Sequence, residues 1–229
     1  MHLVVATHNQ HKVAEIRACL GDQFRVLSLR DFPGAPVVIE DQPTFAANAA
    51  KKARVIANWL AAQPERSDTI FVIADDSGLE VDVLNGAPGV NSARFAALDR
   101  GENFNSTDAE NNAKLLKLLE GVPAELRTAR FRCAIALVPV QAGPDQGHVR
   151  GANVGQRIAE DLLVFEGVCE GQVLDAPRGT AGFGYDPLFL PKGYNLTFAE
   201  LGAEVKNTIS HRARALEKLK AWFSNHRQS

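Results

Sequence analysis

Apolar residues follow two rhythms along the chain, short unbroken runs and longer stretches spaced three to four apart. Leu3, Val4, Val5 and Ala6 form a run bounded by polar residues and predict a buried strand. Residues 9–20 carry Val13, Ile16, Ala18 and Leu20 among charged positions and predict an amphipathic helix that stops near Gly21. A second strand is expected over 24–29, then an irregular turn through Phe32-Pro33-Gly34-Ala35-Pro36. The strongest helical pattern spans 44–62, where Phe45, Ala49, Ala53, Ile56 and Leu60 recur in an alanine-rich background. After a polar break over 63–68, Ile70 to Ala74 is apolar throughout, the pattern of a strand buried on both faces, with a companion strand over 79–84.

Thr107 and Glu110 form a capping box ahead of Leu115, Leu116, Leu118 and Leu119, so a helix starts there. Strands are expected over 131–140, 162–173 and 188–190, with a loop or hairpin connection rich in Gly, Pro and polar residues over 141–156. Thr197 and Glu200 make a second capping box, for a short helix, and a last helix over 204–225 shows the stripe Val205, Ile209, Leu216, Leu219 and Phe223. Alternating strands and helices in this order indicate an α/β fold. No repeat, low-complexity tract or linker-like shift interrupts the chain, which favours one domain with two lobes over residues 1–229.

Composition narrows the class further. A chain of 229 residues buries roughly 70% of its unfolded surface, enough for a core without metal or disulfide staples. Its 25 Lys and Arg against 27 Asp and Glu give a net charge of −2, which exerts no long-range pull on nucleic acid or anionic lipid. Cys19, Cys133 and Cys169 are odd in number and widely spaced, which fits neither a disulfide framework nor a zinc knuckle and suits a reducing compartment. No window approaches the roughly 20 apolar residues of a membrane span, and the first apolar run is too short for a signal peptide. A cytoplasmic protein without nucleic-acid or membrane partners is expected.

Four constellations carry candidate chemistry. Thr7-His8-Asn9-Gln10-His11-Lys12 lies where a strand hands over to a helix, a place where backbone N–H groups, the helix dipole and Lys12 suit a phosphate; the plainer reading is a helix cap with an exposed lysine. Asp75-Asp76-Ser77-Gly78 follows the all-apolar strand and sets adjacent carboxylates at a sheet rim, where Mg²⁺ would be a fitting partner; the plainer reading is a solvated turn. Phe183-Gly184-Tyr185-Asp186 offers ring faces for a planar base and an acceptor beside them, or simply core aromatics. On the last helix, Arg212 falls at about 340° from Val205 at 100° per residue, inside the apolar stripe, and needs an acceptor that is either a structural carboxylate or a ligand. Glu40-Asp41 and Lys51-Lys52 are weak signals taken singly.

Taken together, T-H-N-Q-H-K, E-D-Q-P-T-F-A-A-N-A-A-K-K-A-R, I-A-D-D-S-G-L-E-V-D-V-L-N-G-A-P-G-V, S-A-R-F, G-F-G-Y-D-P-L-F and K-N-T-I-S-H-R-A-R-A-L resemble the inosine triphosphate pyrophosphatase family, in family order from residue 7 to 216. The resemblance implies an elongated α/β fold with a mixed central sheet flanked by helices, two lobes with an active-site cleft between them, and a homodimer. It also implies Mg²⁺-dependent cleavage of ITP, dITP or XTP into nucleoside monophosphate and pyrophosphate. By the same likeness Thr7, His8, Asn9, Gln10, His11, Lys12 and Lys52 meet the phosphates. Glu40 and Asp76, with Asp75 as a further candidate, are the metal-linked carboxylates, and Asp76 is also the catalytic base. Ser77 and Lys206 contact the triphosphate, while Phe183, Gly184, Tyr185, Asp186, His211 and Arg212 frame the base.

The chain departs from the family pattern at Ala47, where relatives carry a Glu, and at Asn91, where an aromatic is common; the stretches 96–105 and 141–156 are longer than in compact relatives. Two other readings stay open: a Maf-type pyrophosphatase for modified pyrimidine triphosphates, similar in architecture, and a catalytically silent nucleotide-binding module.

Overall fold

Each long helix begins at a side chain that accepts the N–H groups its first turn leaves over. In the computed structural model, which describes residues 1–63, 70–102, 104–140 and 162–226, Asn9 caps α1 (Gln10–Leu20), Thr44 caps α2 (Phe45–Ala61) and Thr107 caps α3 (Asp108–Leu118). Thr197 caps α4 (Phe198–Ile209), and α5 follows as His211–His226. Both expected capping boxes, Thr107 with Glu110 and Thr197 with Glu200, are formed.

Among the described residues six strands, β1 (His2–Val5), β2 (Arg25–Ser28), β3 (Ile70–Val81), β4 (Thr128–Pro139), β5 (Leu163–Val173) and β6 (Phe189–Pro191), make one sheet in the order β2-β1-β3-β4-β5-β6. β1 runs parallel to β2 and β3, with Leu3 opposite Val26 and Phe71; β5 and β6 are antiparallel, with Gly171 opposite Pro191. The sheet is therefore mixed. The buried runs of β1 and β3 are the ones the apolar pattern indicated, because a strand covered on both faces has no polar alternation to show.

Two expectations change. The strand expected to end at Ala74 continues to Val81, so Asp75, Asp76 and Ser77 lie inside β3 and the separate companion over 79–84 does not exist. Ladder pairing outweighs the turn tendency of Asp-Ser-Gly. The single last helix over 204–225 is broken at Ser210, which is extended at φ −68°, ψ 161°, whereas the non-helical Gly202 (φ 76°) sets off the short helix after Thr197, as expected. Ser210 closes α4 by donating its N–H to the Lys206 carbonyl and opens α5 by accepting the Ala213 N–H on its hydroxyl. The expected loop over 141–156, the break over 64–68 and Asn103 lie outside the described residues.

The chain divides into two compact units, one of Met1–Asp76, Ala134–Phe165 and Leu219–Ser229, the other of Ser77–Cys133 and Glu166–Lys218. In the first, Leu3, Val4, Val5, Val13, Ile16, Ile56, Leu60 and Val72 are buried, and Phe223 of α5 meets Phe24 at 5.2 Å and Phe71 at 5.3 Å between ring centroids. In the second, Leu79, Leu115, Leu119, Phe131, Phe189 and Phe198 share one core, with Phe131 and Phe189 edge to face at 4.7 Å. Gly167 of β5 admits the start of α5: an added Cβ would stand 2.0 Å from the His211 carbonyl oxygen and 2.7 Å from the Ala215 nitrogen. Gly167→Ala is accordingly expected to destabilise by about 3 kcal/mol, read as a fall in Tm of roughly 6–12 °C; an unchanged melt would mean that α5 is free to move off β5. Among the described residues no helix is long and apolar enough to cross a membrane.

Candidate active site

The first unit gathers its charge around the middle of β3. Asp75 has a fully buried side chain that meets the Lys12 ammonium at 2.5 Å. Lys52, two turns into α2 and buried, donates to Glu40 Oε1 at 2.5 Å and to the Asp75 carbonyl at 2.6 Å, and stands 3.9 Å from Asp76 Oδ1. Asn48, one turn before Lys52, is completely buried; its Oδ1 accepts the Gln42 N–H at 2.9 Å and its amide donates to the Gln42 carbonyl, which fastens the segment carrying Glu40 to α2.

This surrounding separates the carboxylates electrostatically. Burial pushes Asp76 up from 3.8 to about 6, with the Glu40 charge pushing the same way, while Lys52, Lys12 and a hydrogen bond from Asn48 pull back. For Glu40 burial also pushes upward, but the charges of Lys52 and Lys12 and the Lys52 hydrogen bond outweigh it and hold the carboxyl below its ordinary range. One carboxyl is thus held ionised and its neighbour is poised near neutrality, the division of labour of an acid–base site. Ala47 adds no oxygen, so the donor set is Glu40, Asp75 and Asp76.

The start of α1 carries the helix cap that the plainer reading of this segment expected. Asn9 Oδ1 accepts the N–H groups of His11 and Lys12 at 2.9 and 3.2 Å, Thr7 Oγ1 accepts the Asn9 N–H, and Val13 N–H donates to the Asn9 carbonyl. Those N–H groups serve the cap, and α1 also brings the Lys12 ammonium to the cluster. His8 and His11 are exposed, and the Gln10 amide donates to the His8 carbonyl at 3.3 Å.

In the second unit the Phe183 loop is fixed from inside. Asp186, 1% exposed, accepts the Lys206 ammonium at 2.5 Å and the Phe183 N–H at 2.9 Å on the same Oδ2. An added Cβ on Gly182, whose φ is +81°, would collide with that carboxylate. Lys206 and Arg212 approach the half-buried Phe183 ring to 4.6 and 5.8 Å from its centroid. The Arg212 guanidinium, 1% exposed, donates to Ser77 Oγ at 2.8 Å, and His211 stacks on Phe131 at 4.8 Å with planes 10° apart. Tyr185 is core: its hydroxyl donates to the Ser92 carbonyl at 3.0 Å, and burial drives its acidity far below the ordinary phenol. The structure thus puts Tyr185 and Asp186 inside the fold as supports, because each spends its polar group on a buried protein partner, and leaves Phe183 as the aromatic of that motif with an accessible surface. Arg212 is buried as expected, although the helical phase counted from Val205 does not run through Ser210.

Sequence reading missed Asn48, Ser92, Asp108 and Asn112. Asn48 and Lys52 sit four apart in an alanine-rich helix, a spacing that puts both on one face and could have been noticed. Ser92 accepts the Leu79 N–H of β3 at 3.0 Å and donates to the Gly89 carbonyl, a link that no local pattern signals.

An α/β sheet whose central strand carries buried carboxylates among lysines is the frame of a hydrolase for a polyanionic substrate. Residues 3–222 match the Ham1 family, and the chain belongs to it. It is 50% identical over 219 residues to the dITP/XTP pyrophosphatase of Geobacter sulfurreducens, covering 95% of this chain and 94% of that one. The corresponding protein of Desulforamulus reducens is 48% identical over 219 residues, covering 95% and 93%. Among solved structures, a HAM1 protein from Coxiella burnetii (35% identity, TM-score 0.75) and the Staphylococcus aureus Ham1 protein (34%, TM-score 0.73) each cover 98% of this chain and 99% of their own.

Proposed function

We propose that this chain hydrolyses deaminated purine nucleoside triphosphates, dITP, ITP and XTP, to the monophosphate and pyrophosphate. The relatives' shared name supports the reaction, and the observation that carries it on this chain is the buried Asp76, poised near neutrality beside Glu40, Lys12 and Lys52.

The donor set suits Mg²⁺, which takes hard oxygens from one or two carboxylates and completes its shell with water and phosphate. Among the described residues no group of three or more His, Cys, Asp or Glu side chains is placed to hold a metal ion by itself. Glu40 and Asp76, with Asp75 behind them, would hold it. When bound it supplies charge neutralisation at the phosphates and a more acidic water. Asp76 accepts the proton of the attacking water. Lys12 and Lys52, with the Thr7–Lys12 segment, hold phosphate oxygens and stabilise the charge that grows on the leaving pyrophosphate. Phe183 stacks on the purine, His211 and Arg212 provide the polar edge that reads it, and Ser77 contacts the triphosphate. Donors aimed at a 6-keto oxygen reject a 6-amino group, because donor faces donor in a desolvated site. Lys206 neutralises Asp186 and steadies Phe183. A cytoplasmic homodimer belongs to the same reading.

Steady-state assays with Mg²⁺ on ITP, XTP, dITP, GTP and ATP test it. Pyrophosphate is the expected product, with the deaminated purines preferred over ATP by roughly a hundredfold or more in kcat/KM. Orthophosphate release or equal turnover of ATP would overturn the reaction or its selectivity. Turnover of 5-methyl-UTP above ITP would favour the Maf-type alternative, and tight ITP binding without turnover the silent module.

A further inference from the structure

Gly184 sits between the stacking ring of Phe183 and the buried Tyr185 in the left-handed region at φ +63°, and side chains more than seventy residues away in sequence hold both of its backbone polar groups. Its N–H donates to Asp108 Oδ2 at 2.6 Å, and its carbonyl accepts the Asn112 Nδ2 at 3.0 Å. Asp108 opens α3 and Asn112 follows four residues later, so the two lie one above the other on one face of that helix. Asn112 Oδ1 is buried without a hydrogen-bond partner. An amide kept at that cost is held for its Nδ2 contact, since an apolar residue would otherwise be the cheaper occupant. The loop is closed on either side by Phe183 N–H on Asp186 and by the Tyr185 hydroxyl on Ser92.

We infer that Asp108 and Asn112 are positioning residues for purine affinity: by clamping Gly184 they fix the Phe183 ring before the nucleotide arrives. The inference rests on the nucleotide reading given above. A glycine released at this point regains a large range of backbone conformations, and ordering it again is charged against binding of the base. The phosphate-handling groups of the first unit are untouched by that change.

Asp108→Ala and Asn112→Leu are compared with wild type and with Asp108→Asn, which keeps an oxygen acceptor for the Gly184 N–H. The readouts are kcat and KM for ITP, the inhibition constant of inorganic tripolyphosphate, and Tm. Expected for Asp108→Ala and Asn112→Leu is a rise in KM of about tenfold, with kcat and the tripolyphosphate constant within about twofold of wild type; Asp108→Asn returns KM towards wild type. A KM within about twofold of wild type in both variants, or a tripolyphosphate constant that weakens in step with KM, would overturn the clamp. The wild-type control separates the two levels: preference for ITP over ATP upholds the nucleotide reading whatever the variants do, and its absence removes that reading and the inference with it.

Discussion

Asp76→Asn is expected to lose roughly 10²- to 10⁴-fold in kcat and, in the metal-free state, to melt higher than wild type at pH 7.5. The two effects have one origin. Burial raises the folded-state pKa of Asp76 from 3.8 to about 6, so the folded protein keeps a proton that the unfolded chain has released. Stability from this group therefore falls as pH climbs from about 4 to about 6 and stays lower above, by at most about 3 kcal/mol. Glu40 runs the other way, since its folded pKa is depressed and its contribution is lost only as the solution is acidified below its ordinary range. The difference between wild type and Asp76→Asn isolates Asp76 from Glu40, Asp75, Lys12 and Lys52, which both proteins share. Thermal melts in EDTA from pH 4 to 8 are the measurement: the variant's advantage grows through the window and levels off. Parallel curves would show that Asp76 titrates as an ordinary carboxyl, and retained turnover would remove it as the base.

Asp186→Ala should destabilise by about 3–5 kcal/mol, a loss of roughly 6–20 °C in Tm. The substitution takes the Asp186 carboxylate away from the Lys206 ammonium, whose side chain is 4% exposed, and from the Phe183 N–H at the same time. Replacing the pair together, as Asp186→Leu with Lys206→Met, is expected to regain most of that stability, because a buried ion pair roughly balances its own desolvation while a single buried charge does not. Purine-dependent KM should remain poor in the double variant, since no carboxylate at position 186 accepts the Phe183 N–H. A loss below about 1 kcal/mol for Asp186→Ala would mean that water reaches Lys206 in the native state.

Much of this fold is legible in the sequence where the governing interaction is local. Asn9, Thr44, Thr107 and Thr197 are cap residues whose partners lie two or three positions on, and each starts a helix within a residue of its expected place. β3 was harder to read because Asp75-Asp76-Ser77-Gly78 has turn chemistry, and only pairing with distant strands keeps it extended. The last helix looked continuous because its apolar spacing carries on past Ser210, whose effect depends on backbone angles. The candidate charges were readable as residue types, but the pairing of Lys12 with Asp75 and of Lys52 with Glu40 was not. Asp108 and Asn112 carry no mark at all on their own helix; their role exists only once Gly184 lies against them.

The serine between α4 and α5 makes a joint with no spare length. Ser210 serves the end of one helix and the start of the next, so an insertion has nowhere to be absorbed. One added residue after it would turn everything beyond by about 100° and carry His211 and Arg212 off their buried bearing, while leaving Lys206 where it was. Substitutions along α5 can drift within the limits of packing, but the residue count from 206 to 212 cannot. Heredity should therefore treat this segment as a fixed measure of chain, intolerant of insertion or deletion even where its side chains vary.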